Sequence, residues 1–214
     1  MSGARSGPGG DSATRAALLD AAAQLMLEEG YAAVTTRKVA ARANANPALV
    51  YYYFGTVDEL FLAVFRRGAE ANLRRLQDVR QAAHPLRAMW ELSSEPHNSA
   101  LTVEFIALAN HRPAVRTELS LYFTRFRRLQ EDILATALAD RSPVGTPSPA
   151  ALTILISGMS RILTMDDALG LADGHQEVRE LIDNCLTRFE GTAPNSPGTS
   201  ASPTSGKADQ DRTG

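Results

Sequence analysis

Between Gly30 and Phe61 the chain reads GYAAVTTRKVAARANANPALVYYYFGTVDELF, and the punctuation of this stretch decides the fold. Thr35 is placed to cap a short helix that carries Val39 and Ala40 on its inner side. Asn44 follows in a tight turn, where asparagine tolerates a positive φ better than most residues. Asn46-Pro47 opens the next helix with a capping side chain and a proline at the first helical position. That helix runs through Val50 to Tyr53 or Phe54, and Gly55 breaks it. Thr56-Val57-Asp58-Glu59 reads as a capping box, with Thr at the cap and Glu three residues on. It starts a longer helix with apolar positions at Leu60, Phe61, Val64 and Phe65, extending past Leu76.

Upstream, a helix is expected from about Ser12, capped by Asp11 or Ser12, with Leu18, Ala22, Leu25 and Met26 as its apolar stripe. Gly30 is expected to end it as a left-handed C-terminal cap. Downstream, Pro85, the stretch Ser93 to Asn98, Pro113 and the loop Ser142 to Pro149 punctuate a helical bundle. The last two helices, Pro149 to about Leu169 and His175 to about Glu190, are its most apolar part. Nothing alternates with the period of two that a half-buried strand requires, so the expected class is all-α. The ends of the chain, 1–11 and 191–214, are rich in Gly, Ser, Thr, Pro and Ala and are expected to be disordered tails.

Composition narrows the function classes. The 22 basic and 24 acidic side chains leave a net charge of −2, which excludes a highly basic nucleic-acid coat but allows a local DNA-binding surface. Cys185 is the single cysteine, so an intramolecular disulfide is impossible. No apolar run approaches the ~20 residues of a membrane span, and the first residues lack a signal-peptide core. The expectation is a soluble, cytoplasmic protein with no membrane association. His84, His97, His111 and His175 lie too far apart for a local metal motif. There is no Gly-rich phosphate loop, no nucleophile elbow and no Glu-x-x-His pair, so neither an enzyme nor a bound cofactor is expected.

The two short helices at Thr35 to Phe54 form a helix-turn-helix candidate, in which the second helix presents its N-terminal side chains to the major groove. A single helix cannot bury Tyr51, Tyr52, Tyr53 and Phe54 on one face, so some of these aromatics must be exposed. In order and spacing the motifs from about residue 12 to 72 resemble the N-terminal domain of the TetR family of transcriptional regulators. The segments that carry the resemblance are Gly30-Tyr31, Thr35 to Ala40, Ala43 to Asn46, Val50 to Phe54 and Asp58 to Phe61.

The resemblance implies an N-terminal three-helix DNA-binding domain (12–72) and a C-terminal helical bundle (73–190) for ligand binding and dimerisation. It implies a homodimer on a double-stranded palindromic operator, and usually repression relieved by a small-molecule inducer, expected here to be apolar. Carried onto this sequence, Thr35, Thr36 and Arg37 meet phosphate or base, and Asn46, Pro47, Ala48 and Leu49 form the exposed start of the recognition helix. Tyr51, Tyr52, Tyr53 and Thr56 approach the DNA backbone, while Val50 and Phe54 are core. Asn44 stands where the family usually has glycine, and Val57 where many members have lysine.

In the C-terminal part, Trp90, Leu101, Phe105, Leu108, Tyr122, Phe126 and Leu163 are the pocket candidates, mostly apolar side chains from separate helices. The Arg125, Arg127, Arg128 cluster reads as a solvated helix face, with Arg125 able to turn inward. The dimer interface is expected on the two final helices, through Ile154, Leu155, Met159, Ile162, Val178, Leu181, Ile182, Cys185 and Phe189. Leu163 and Leu186 extend the two stripes, and Ser157, Gly158 and Ser160 are small enough to admit a partner helix closely. The competing readings are a helical enzyme and a helical interaction protein without DNA binding.

Overall fold

The computed structural model describes residues 8–139 and 147–190. The expected tail segments 1–7 and 191–214, and most of the expected loop at 142–149, lie outside the described residues. Among the described residues there are nine α-helices and no strand. They are α1 (Pro8–Glu29), α2 (Thr36–Arg42), α3 (Pro47–Phe54), α4 (Val57–Val79) and α5 (Pro85–Ser93). The bundle continues with α6 (Pro96–Ala109), α7 (Pro113–Leu138), α8 (Pro149–Leu169) and α9 (His175–Glu190).

Local signals set the short helices. The Thr35 hydroxyl accepts the Lys38 N–H at 3.3 Å, and the Asn46 carbonyl oxygen accepts the Ala48 N–H at 2.8 Å. The Thr56 hydroxyl accepts the Glu59 N–H at 3.1 Å. The return half of the expected capping box is missing, because the Thr56 N–H bonds the Phe54 carbonyl at 2.8 Å instead. Asn44 takes φ 50°, which lets the chain turn sharply between α2 and α3.

Two expectations at the first helix are corrected. It already runs from Pro8, so residues 8–11 are helical rather than part of a tail. Gly30 has φ 80° but ψ 162°, a region reserved for glycine, so it is not a left-handed cap. It turns the chain into the single 3-10 turn Tyr31–Ala33.

Two apolar clusters hold the molecule. Leu18, Ala22, Leu25 and Met26 of α1 pack with Val39, Ala40, Val50, Phe54, Leu60, Phe61 and Phe65. That cluster also takes in Phe105 and Leu108 of α6 and Val115 and Leu119 of α7, so it crosses into the C-terminal helices. The second cluster joins Leu76 and Val79 of α4 to Met89 of α5 and Ile133 and Leu134 of α7. α4 contributes to both and is their common strut. Among the described residues no single helix is long and apolar enough to cross a membrane.

The Asn44 turn makes a direct test of this local geometry. Asn44→Gly should hold or slightly raise stability, and Asn44→Val should lower it by about 1–2 kcal/mol. Denaturant unfolding of the two variants measures both.

Candidate functional site

α2 and α3 leave their N-terminal ends and one side of α3 in solvent. Thr35, Arg37, Asn46, Pro47, Ala48 and Thr56 are exposed, and Thr36 is half-buried. Tyr51 is 57% exposed and Tyr52 is 71% exposed, while Val50 and Phe54 on the other side are buried. Two neighbouring bare aromatic rings form an exposed patch of the kind that marks an interaction surface.

Two of the expected contact residues are turned inward. Leu49 is half-buried and leans on the first core, which leaves Pro47 and Ala48 as the bare apolar surface at the start of α3. Tyr53 also packs on that core, and its hydroxyl donates to Asp11 of α1 at 2.9 Å. Burial first, and the Asp11 carboxylate second, raise its phenol above the ordinary tyrosine value. Tyr53 therefore holds α3 against α1. The two residues are 42 apart in the chain, so no local pattern announces their bond.

The charges around the motif are unequal. The Lys38 ammonium pairs with Glu29 at 2.5 Å, and Arg42 pairs with Glu28. The Lys38 hydrogen bond and charge hold the Glu29 carboxyl below its ordinary value. Arg37 makes no ion pair among the described residues and projects into solvent. It is the cation of α2 that is free to meet a phosphate or a base edge.

Residues 18–64 match the family model for bacterial regulatory proteins of the tetR family. That stretch, from within α1 into α4, is similar to the N-terminal domain of TetR-family transcriptional regulators. The chain is 31% identical over 126 residues to a Rhizobium meliloti (strain 1021) protein named HTH-type transcriptional regulator BetI, covering 53% of this chain and 60% of that protein. It is 46% identical over 57 residues to the HTH-type transcriptional repressor Rv3405c of Mycobacterium tuberculosis, covering 27% of this chain and 30% of that one. The chain thus spans less than two thirds of the length of these curated relatives. A regulator from Saccharomonospora viridis solved in complex with choline shares the fold, with a TM-score of 0.71 at 16% identity over 82% of this chain and 96% of that one. The matched segment begins within α1 and ends at residue 64, early in α4. The helices beyond it carry a second candidate site.

That site is a cleft of about 220 Å³ where α7 faces α8, closed at its sides by α4, α5 and α6. Tyr122, Phe123 and Phe126 of α7, Leu92 of α5 and Ile154 of α8 supply its apolar walls. Gln130, Arg127, Arg161 and Thr102 are among its polar side chains. Burial pushes the Tyr122 phenol above the ordinary tyrosine value, although the Asn72 amide donates to it at 3.4 Å.

The pocket expectation needs several corrections. Of its residues only Tyr122 and Phe126 line this cleft; Leu101 and Phe105 flank a small recess behind Tyr122. Leu108 belongs to the first core, Leu163 is buried away from the cleft, and Trp90 lines neither space. Arg127, not Arg125, turns to the cleft, and Ser157, Gly158 and Ser160 line it too. The Ser160 hydroxyl donates to the Ser93 carbonyl at 2.7 Å. One signal for Gln130 was in the sequence: it lies three and four residues before Ile133 and Leu134 on the buried stripe of α7.

The expected dimer residues divide. Ile154, Leu155, Ile162, Leu181 and Cys185 are exposed, joined by Met165, Leu169 and Leu171. Met159 and Val178 are half-buried. Ile182 is buried, and Leu186 and Phe189 pack on the second core, so this side of α9 faces its own subunit. The Leu86 and Arg87 N–H groups donate to Glu190, and Arg87 pairs with Asp183 at 2.6 Å, which fastens α9 to α5.

The inward and outward sides of α3 should respond differently to truncation. Phe54→Ala should cost about 3–5 kcal/mol of stability. Tyr51→Ala and Tyr52→Ala should stay within about 0.5 kcal/mol of wild type. Thermal and denaturant unfolding of the three variants separates the two sides.

Proposed function

We propose that the protein is a sequence-specific transcriptional repressor that binds palindromic duplex DNA as a homodimer and is released by a small molecule. The observation that carries this reading is the bare outer side of α3, with Tyr51 and Tyr52 open beside the free Arg37. Aromatic hydroxyls, a guanidinium and helix N-termini are the groups that grip phosphate and read base edges. The helical domain boundary near residue 72 falls within α4, so the DNA-binding domain (12–72) and the ligand-binding and dimerisation domain (73–190) share one continuous helix.

The dimer is supported by the apolar outer faces of α8 and α9. Leu181 is 62% exposed, Ile162 57% and Leu155 51%, and none of them lines the cleft. Apolar side chains left this exposed on two helices are disfavoured in a soluble monomer, and a second copy would cover them in an isologous contact. Two-fold symmetry then sets two recognition helices toward half-sites roughly 34–36 Å apart.

Release is supported by the helix shared between the cleft and the motif. Ser99 and Thr102 of α6 face the cleft, and Glu104 of the same helix accepts the Tyr31 N–H at 2.8 Å. A ligand that prefers one setting of α6 shifts the spacing of the DNA-binding domains only by its differential affinity for the two settings. The choline bound to the Saccharomonospora viridis regulator is consistent with a small-molecule effector for proteins of this fold.

Operator binding should fall steeply with salt, since phosphate contacts release counterions. Arg37→Ala should weaken it by about 1–3 kcal/mol. Footprinting and titration on the DNA upstream of the protein's own gene measure both, and salt-independent binding that ignores Arg37 would sink the reading. For the assembly, Leu181→Glu should give a folded monomer by sedimentation and abolish operator binding. A monomeric wild type would contradict the dimer.

A further inference from the structure

We propose that the cleft between α7 and α8 takes a small organic anion, a carboxylate on a ring-sized apolar body, with its head group held by Arg127, Arg161 and Gln130. The proposal rests on the reading of this cleft as the effector site and names the ligand class it selects. Three observations converge on an acceptor. Gln130 is only 2% exposed, lines the cleft, and its amide nitrogen has no hydrogen-bond partner. A buried donor left unmade carries its full desolvation cost, which an acceptor in the cleft would recover. Arg127 and Arg161 make no ion pair among the described residues, and none of the fifteen lining residues is an Asp or Glu. The lining thus carries two uncompensated positive charges in a chain whose net charge is −2.

Helix geometry brings these groups together. Arg127 and Gln130 are one turn apart on α7, close enough for one carboxylate to accept from both. Arg161 stands on the facing helix, four residues beyond Ser157. The body of the ligand has its own place beside Phe123, Phe126 and Tyr122. A cavity of ~150 Å³ suffices for benzene, so about 220 Å³ holds a ring with a carboxylate. Gly158 and Ser157 open that space: a Cβ added at Gly158 meets no atom within 4 Å. A quaternary ammonium could stack on the same rings, but it would face two guanidinium groups without any carboxylate to offset them.

The test is calorimetric titration of the full chain with benzoate, hexanoate, benzamide and choline at fixed ionic strength, with operator affinity measured alongside. Benzoate or hexanoate should bind at least ten-fold more tightly than benzamide or choline. The Arg127→Gln, Arg161→Gln double variant should lose at least ten-fold in carboxylate affinity, and Gly158→Phe should abolish binding while keeping wild-type helicity. Arg125→Gln and Arg128→Gln, on the solvent side of α7, serve as controls that should change nothing. The proposal is overturned if no carboxylate binds, if choline or benzamide binds as tightly, or if the double variant binds normally. Carboxylate binding that depends on Arg127 and Arg161 but leaves operator affinity unchanged would uphold the ligand class and refute the inducer reading instead.

Discussion

The ring of Phe65 stands edge-on to two others, Phe105 of α6 at 5.1 Å and Tyr122 of α7 at 5.4 Å. Edge-to-face pairs at these separations contribute about 0.5–1.5 kcal/mol each beyond the area they bury, and they prefer particular orientations. The consequence is that α4 cannot slide against α6 or α7 without breaking a specific arrangement. From Tyr122 the aromatic contacts continue to Phe123 and Phe126, which are walls of the cleft. On the other side Phe65 belongs to the core that carries α2 and α3. One packed series of rings therefore runs from the cleft to the core under the helix-turn-helix, and the position of α3 depends on how that series is seated.

The DNA-facing side achieves its charge by restraint. Lys38 and Arg42 are paired with Glu29 and Glu28 of α1, which lowers the standing positive potential of the motif. These pairs are exposed, so each contributes little to stability and exchanges readily for a phosphate. Arg37 alone on α2 needs no exchange. Such an arrangement favours a site where phosphate contacts fit the backbone geometry over indiscriminate attraction to any duplex, since unpaired cations are what drive non-specific binding. It agrees with a slightly negative net charge, under which the proposed DNA contact would be local.

What the sequence disclosed is what local chemistry controls. The caps at Thr35, Asn46 and Thr56, the positive φ at Asn44 and the break at Gly55 are each decided within a few residues, and each was readable. The inward turn of Leu49 and Tyr53 was not, because it depends on α1 lying across α3. The cleft was the least legible part. A polar residue such as Arg127 looks like an ordinary solvated position until the register of α7 against α8 is known. The same holds for α9, whose apolar residues cover both sides: periodicity showed a broad stripe, and only the seat on α5 shows that Ile182, Leu186 and Phe189 face inward.

The junction at Glu104 explains how a small displacement in the cleft can matter at a distance. Thr102 and Glu104 are two residues apart, about 3 Å along the α6 axis, yet one faces the cleft and the other accepts the Tyr31 N–H. Tyr31 follows Gly30, whose backbone conformation is open only to glycine, so the contact of Tyr31 with Glu104 depends on glycine at this turn. A second tie, Arg112 to Asp58 at 3.0 Å, holds the α6–α7 corner to the start of α4. Under the proposed release, a movement of α6 would reach both ends of the helix-turn-helix, at the entry to α2 and just beyond α3. Packed cores switch between discrete arrangements rather than deforming smoothly, so the proposed release calls for two settings of α2 and α3 rather than a continuum.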